Sequence, residues 1–351
     1  MADLNRQFAI QHIEASDDWR LLRELRIDLQ AKYADQIPYG PIIDIMTSIN
    51  DMHDALIRKA VQLAELELKR EGQGDPPVPY AFLLFGSGGR REQTFWSDQD
   101  NGIIYDDSQA IGEKARSAVE TYFEQLARKI RSGLERLGYP PCEGQVICTN
   151  RRWRLSFQQY KHMLEKWFES LNVENVRYML IMSDARAVYG QAELSGKLRE
   201  RVLQLVADHP EVMRTIVEIS LRHKVLLGPF GNLLLERYGE HAGSIDIKYG
   251  SYIPMVNGIR ALAIHEAVNE TNTLQRLRAL GFKGSVPEEL LERWQAAFEH
   301  NLLLRLTCGK DDGIGKLNIR QCSKEEILSL KRTMRSGKLL QAHVAKYGGR
   351  N

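Results

Sequence analysis

The stretch from Tyr80 to Tyr105 constrains this chain more than any other. The apolar run Tyr80 to Phe85 is closed abruptly by Gly86, and a segment so short, aromatic and branched fits a buried strand better than a helix. Gly86, Ser87, Gly88 and Gly89 then form a turn whose glycines allow positive φ or close backbone approach, and whose serine brings a hydroxyl. Successive N–H groups in such a turn make a concavity for anions, and Arg90 and Arg91 add positive charge beside it. That chemistry suits a polyphosphate.

Asp98 and Asp100 stand at i and i+2 where the second apolar run, Asn101 to Tyr105, begins, so an extended backbone puts both carboxylates on one face. They repel unless a cation sits between them. Magnesium, or manganese in its place, takes hard oxygen ligands and keeps phosphate oxygens in its shell, so the pair is coherent beside a phosphate-holding turn. With two ions, one activates the attacking oxygen and the other neutralises the leaving pyrophosphate, which describes in-line nucleotidyl transfer. Either feature alone is most often a plain turn or a solvated loop; the combination carries the signal.

Gly86-Ser87 followed by Asp98-x-Asp100 resembles the signature of the polymerase-beta-type nucleotidyltransferase superfamily. The fuller string from Gly86 through Arg90 to Gln93, with Ser97 to Asn101, resembles a branch of signal-transduction nucleotidyltransferases related to the protein-PII uridylyltransferase and the glutamine-synthetase adenylyltransferase. The resemblance implies Mg2+ or Mn2+ on Asp98 and Asp100, with a nucleoside triphosphate held by Gly86, Ser87 and Gly88 and neutralised by Arg90. It implies transfer of a nucleoside monophosphate to an acceptor, a protein side chain as in uridylylation of PII, with release of pyrophosphate.

It also implies a third metal-binding carboxylate on a third strand. The strand expected at Val146 to Thr149 has no acid, so Glu143 just before it is either that ligand, a residue behind the ligands, or an ordinary loop residue. Two carboxylates alone would bind nucleotide and metal without efficient turnover. A nucleotide-sensing module that does not transfer therefore stays open, as does a helical interaction scaffold. Asp184-Ala185-Arg186 with Gly190 resembles another family segment and reads as an ion pair or as part of the nucleotide pocket. Ile245 to Lys248, with Pro254 and Arg260, resembles the entry to the family's C-terminal helical module. There Lys248 either reaches a nucleotide phosphate or belongs to a fixed turn with a local ion pair.

The rest of the chain is helical in pattern. Asp17 and Asp18 cap a helix to about Lys32, and a longer one follows Pro41 with Ile45, Ile49, Met52 and Leu56 on one side. These read as a helical hairpin, or alternatively as an arm for homodimerisation or partner docking. Glu71 to Pro79 is a glycine- and proline-rich linker, Gly112 to Leu137 is a helix over the sheet, and from Trp153 onward the pattern is almost wholly helical. One helix is expected over 173–188, one over 210–237 interrupted at Gly228-Pro229, a polar loop at 309–315, and a last helix from Ser323 or Lys324. The expected fold is α+β, in three parts: an N-terminal helical region (1–75), a small mixed β-sheet nucleotidyltransferase domain (76–152), and a C-terminal all-helical, substrate-binding-like region (153–351).

Composition excludes several classes. The 351 residues are 43% hydrophobic and 27% charged, an ordinary globular balance. Lys and Arg number 48 against 46 Asp and Glu, so no global basic field asks for nucleic acid. The four cysteines lack C-x-x-C spacing and the nine histidines lack His-x-x-x-His, which argues against zinc. Phe85 spoils a Gly-x-Ser-x-Gly nucleophile elbow, and no Gly-Lys-Ser or Gly-Lys-Thr follows the glycines. With no signal peptide and no apolar run near ~20 residues, a cytoplasmic protein is expected.

Overall fold

The computed structural model describes residues 2–308 and 315–349. The chain divides into two compact units, Met1–Glu169 with Ile181–Val202, and Ser170–Leu180 with Leu203–Asn351. The boundary expected near residue 75 does not separate units. The N-terminal helices belong to the same unit as the sheet, because the third of them packs back onto it.

Unit 1 opens with α1 (Ala2–Ala15), α2 (Trp19–Gln36) and α3 (Ile42–Arg70). Asp18 caps α2 as expected, its carboxylate accepting from the amides of Arg20 at 2.7 Å and Leu21 at 3.3 Å. The core follows as β1 (Tyr80–Leu84), α4 (Gly86–Arg90), β2 (Asn101–Tyr105), α5 (Glu113–Arg136), β3 (Arg154–Ser156) and α6 (Phe157–Glu169). The chain then passes through α7 (Val173–Met182) into β4 (Arg186–Gly190), and through α8 (Ala192–Asp208) into unit 2.

The sheet runs β3-β2-β1-β4. β1 lies antiparallel to both neighbours, and β3 runs parallel to β2. β1 is buried along its whole length, which is why its sequence is continuously apolar rather than alternating. α3 packs against α5 and β4, and its Glu65 accepts from the hydroxyls of Tyr80 at 2.5 Å and Tyr189 at 2.7 Å. One carboxylate therefore ties the long helix to two strands.

Two expectations about strands need correcting. Val146 to Thr149 is not a strand: Gln145 has φ +56°, and the segment meets β2 only through Asn101 N–H to Val146 O at 3.0 Å and Cys148 N–H to Asn101 Oδ1 at 2.9 Å. The region after Trp153 is not wholly helical either, since it supplies β3 and β4. The helix expected over 173–188 ends at Met182, where the chain turns into β4 to complete the sheet.

Unit 2 is helical apart from a two-stranded ribbon. Its elements are most of α7, then α9 (Val212–Ser220), β5 (Ser244–Asp246), α10 (Ile253–His265), α11 (Thr273–Phe282), α12 (Glu288–Cys308), β6 (Lys316–Asn318) and α13 (Lys324–Ala345). The helix expected to reach residue 237 stops at Ser220, and β5 pairs antiparallel with β6. α10 contacts α9, α11 and α13, and α12 lies against α13 around the buried Trp294 and Phe298. Ser323 and Glu326 close a capping box on α13. Except for Gly315, the polar loop expected at 309–315 lies outside the described residues. The fold class is α+β: a small mixed sheet with helices, and a helical C-terminal region. Among the described residues no helix is long and apolar enough to cross a membrane.

Candidate active site

β1 delivers the chain into α4, and the two meet at Gly86. Its φ is +50°, and a Cβ built there would lie 2.6 Å from Asp100 Oδ2. The carboxylate therefore sits directly over the first residue of the turn, in space only glycine leaves open. Gly89 is held from the other side, where a Cβ would come within 2.0 Å of the Asp184 carbonyl oxygen. Gly89 N–H closes on Phe85 O at 2.9 Å, leaving the amides of Gly86, Ser87 and Gly88 without an acceptor inside α4. Ser87 is half-exposed beside them.

Asp98 and Asp100 converge as the spacing predicts. Each offers an oxygen within 4.8 Å of the other's and of the Cys142 sulfur. Asp98 is exposed, Asp100 half-buried and Cys142 buried. Burial, and then the nearby Asp100 charge, push the Cys142 thiol up to about 12, so it stays protonated at neutral pH. Glu143, the candidate third carboxylate, is outside this cluster. It lies exposed on a turn closed by Gln145 N–H to Cys142 O at 3.1 Å, which turns the cysteine inward and the glutamate to water. The donor set fits a hard divalent ion: two carboxylates, one open to solvent, leave room in the shell for phosphate oxygens and water.

Arg90 is the second correction. Rather than facing the turn's open side it is buried, with Nε 2.8 Å from Glu92 and Nη1 2.7 Å from Asp184. Its charge is compensated inside the fold. Arg91, at φ +56°, pairs with Asp54 at 2.6 Å and with Asp51, both on α3. Arg186 on β4 bridges from Asp54 at 2.8 Å to the carbonyls of Gly88 at 2.8 Å and Gly89 at 3.3 Å. Asp184 and Arg186 thus form ion pairs and, through those same pairs, fix the glycine turn.

Two family models match the chain. The one described as "Putative nucleotidyltransferase DUF294" covers residues 40–174, which hold the turn, the aspartate pair and Cys142. The one described as "Putative nucleotidyltransferase substrate binding domain" covers residues 210–347, most of unit 2. The chain belongs to this nucleotidyltransferase family. No curated protein matches it.

In this nucleotidyltransferase, sequence reasoning missed the part played by α3. Asn50 brackets the loop after the turn, accepting from Gln93 N–H at 3.0 Å and donating to Gln93 O at 3.2 Å. His53 accepts from the Tyr139 hydroxyl at 2.6 Å and donates to Thr94 O at 3.0 Å. The signal was present: Asn50, His53 and Asp54 interrupt an apolar helical stripe, where polar side chains stay only if hydrogen-bonded.

Burial, helped by the Arg26 charge, pulls His53 down from 6.5 to about 3. Between those values the unfolded nucleotidyltransferase binds a proton that the folded one does not. This contribution is therefore full above 6.5 and falls as the pH drops through the window, by up to about 1.4 kcal/mol per pH unit. Urea unfolding at pH 7.5 and 4.5 should show the loss, with a shallower pH slope in His53→Gln.

Lys248 lies in unit 2, at the start of a short helical turn, Lys248–Tyr252. Its ammonium is 5.3 Å from the Tyr249 ring centroid, and Asp246 accepts from Tyr249 N–H at 2.8 Å. The latter contact fixes the local turn, and the cation–ring contact is the one the structure gives the Lys248 ammonium among the described residues.

Proposed function

We propose that this nucleotidyltransferase uses Mg2+ or Mn2+ to move a nucleoside monophosphate from a nucleoside triphosphate to a protein side chain, as protein-PII uridylyltransferases do, in signal transduction. The observation that carries the reading is the Asp100 carboxylate lying over Gly86, with Asp98 beside it. The amides of Gly86, Ser87 and Gly88 with the Ser87 hydroxyl would hold the triphosphate tail, and Asp98 with Asp100 would hold the ion. A bound ion would lower the charge on the phosphates and on the departing pyrophosphate. The acceptor oxygen forms a bond to the α-phosphorus as the α–β bridging P–O bond breaks. The acceptor proton passes to water or to the exposed Asp98.

This chain's residues contribute by position. α3 and β4 clamp the turn through Asp54 and Arg186, so the amides need no reorganisation when phosphate arrives. A second reading, nucleotide binding without transfer, is favoured because the third member of the donor cluster is the protonated thiol of Cys142 rather than a carboxylate.

The test is incubation with each of the four common nucleoside triphosphates, labelled at the α- or the γ-phosphate, with Mg2+ or Mn2+ and an extract as acceptor pool. Transfer puts α-label but not γ-label on protein, and EDTA abolishes it. Saturable nucleotide binding without transfer supports the second reading; neither binding nor transfer contradicts both.

A further inference from the structure

We propose that a groove between α12 and α13 binds the phosphoryl group of a small molecule, at a site built from none of the nucleotidyl-transfer residues. The cavity is about 470 Å3, within the range of small-molecule sites. Arg293 and His300 line it from α12, one heptad apart, and Arg332, Thr333 and Ser336 line it from α13, with Arg335 beside them. Three arginines line one volume. No carboxylate lines it, and among the described residues none of the three arginines has an ion-pair partner.

Arg90, Arg91 and Arg186 in unit 1 are placed quite differently, each spent on carboxylates. An ordinary solvated helix face interleaves both signs of charge. α13 has no Asp or Glu between Ile327 and Val344, while Lys331, Arg332, Arg335 and Lys338 fall in that span. Like charges gathered this way repel, and an anion between them removes the repulsion.

The walls are polar and ordered. Thr333 and Ser336 are buried, and the Arg293 Nε donates to Ser336 Oγ at 3.1 Å, which orients the guanidinium fork. His300 Nδ1 lies 2.7 Å from Thr333 Oγ1, so the ring is held rather than free. Arg335 Nη2 lies 3.2 Å from where a Cβ on Gly231 would sit, which places it against that loop. Planar forks with several donors match the oxygens of a phosphoryl group. Ala296 and Ala297 supply a small apolar surface for the carbon part of a phosphomonoester.

The test titrates the full chain, in EDTA and 150 mM NaCl, with inorganic phosphate in one arm and glycerol 3-phosphate in the other, read by calorimetry. The expected result is saturable binding in at least one arm, weakened about tenfold or more in R332A/R335A and unchanged in Asp98→Asn. Both arginines are exposed, so the double variant keeps its fold, which circular dichroism verifies. The arm that binds more tightly tells free phosphate from an ester. The proposal is overturned if neither probe saturates, if R332A/R335A binds as the parent does, or if sulfate competes equally well. Loss of binding in Asp98→Asn would also overturn it, by moving the anion to the transfer site.

Discussion

Asp100→Asn lowers nucleotidyl transfer roughly 10^2- to 10^3-fold, with little change in thermal midpoint. The substitution keeps the shape that fits over Gly86 and removes the charge that a cation needs. Asp98→Asn has a comparable effect, because among the described residues the cluster holds two carboxylates and neither can replace the other. Glu143→Gln, outside the cluster and exposed, leaves transfer unchanged. Initial rates of α-label transfer at saturating nucleotide measure all three. If Asp100→Asn retained full rate while Glu143→Gln lost it, the site would be assembled from different acids.

Asp184→Ala gives the largest loss of stability. Asp184 is fully buried, and removing it takes from the buried Arg90 guanidinium one of the two carboxylates that pair with it. Breaking a buried pair from one side costs about 3 kcal/mol or somewhat more, because the survivor stays desolvated. For a unit of this size the thermal midpoint falls by roughly 6–12 °C. Replacing all three members of the cluster, as R90M/E92L/D184L, costs less than Asp184→Ala alone, since no charge is then left in that interior. Differential scanning calorimetry of the three proteins checks the order. Equal midpoints for Asp184→Ala and the parent would mean that the pair does not hold the turn.

The most legible parts of the sequence were those decided by near neighbours. β1, the glycine turn, the aspartate couplet, α3, α5 and the Ser323 cap all follow from periodicity, turn chemistry or capping within a few residues. The misread parts were decided by distant partners. β4 is short and half-buried, and it becomes a strand only by pairing with β1, about a hundred residues earlier. Arg90 is adjacent to a phosphate-type turn in sequence, yet the last turn of α4 aims it at Asp184. Cys142 and Glu143 differ by one position, and the direction of a single tight turn decides which of them meets Asp100. The glycine- and proline-rich linker near residue 75 looked like a domain edge, but α3 on one side of it packs onto β4 on the other.

In the proposed reaction one small volume takes both the metal and the triphosphate tail. A crystal of the parent protein with Mn2+ and a non-hydrolysable nucleoside triphosphate analogue, measured at the manganese absorption edge, tests it most directly. An anomalous peak is expected within coordination distance of Asp98 and Asp100, with the β- and γ-phosphates against the amides of Gly86, Ser87 and Gly88. A peak bound elsewhere, or phosphates bound away from that turn while the aspartates carry no metal, would contradict it.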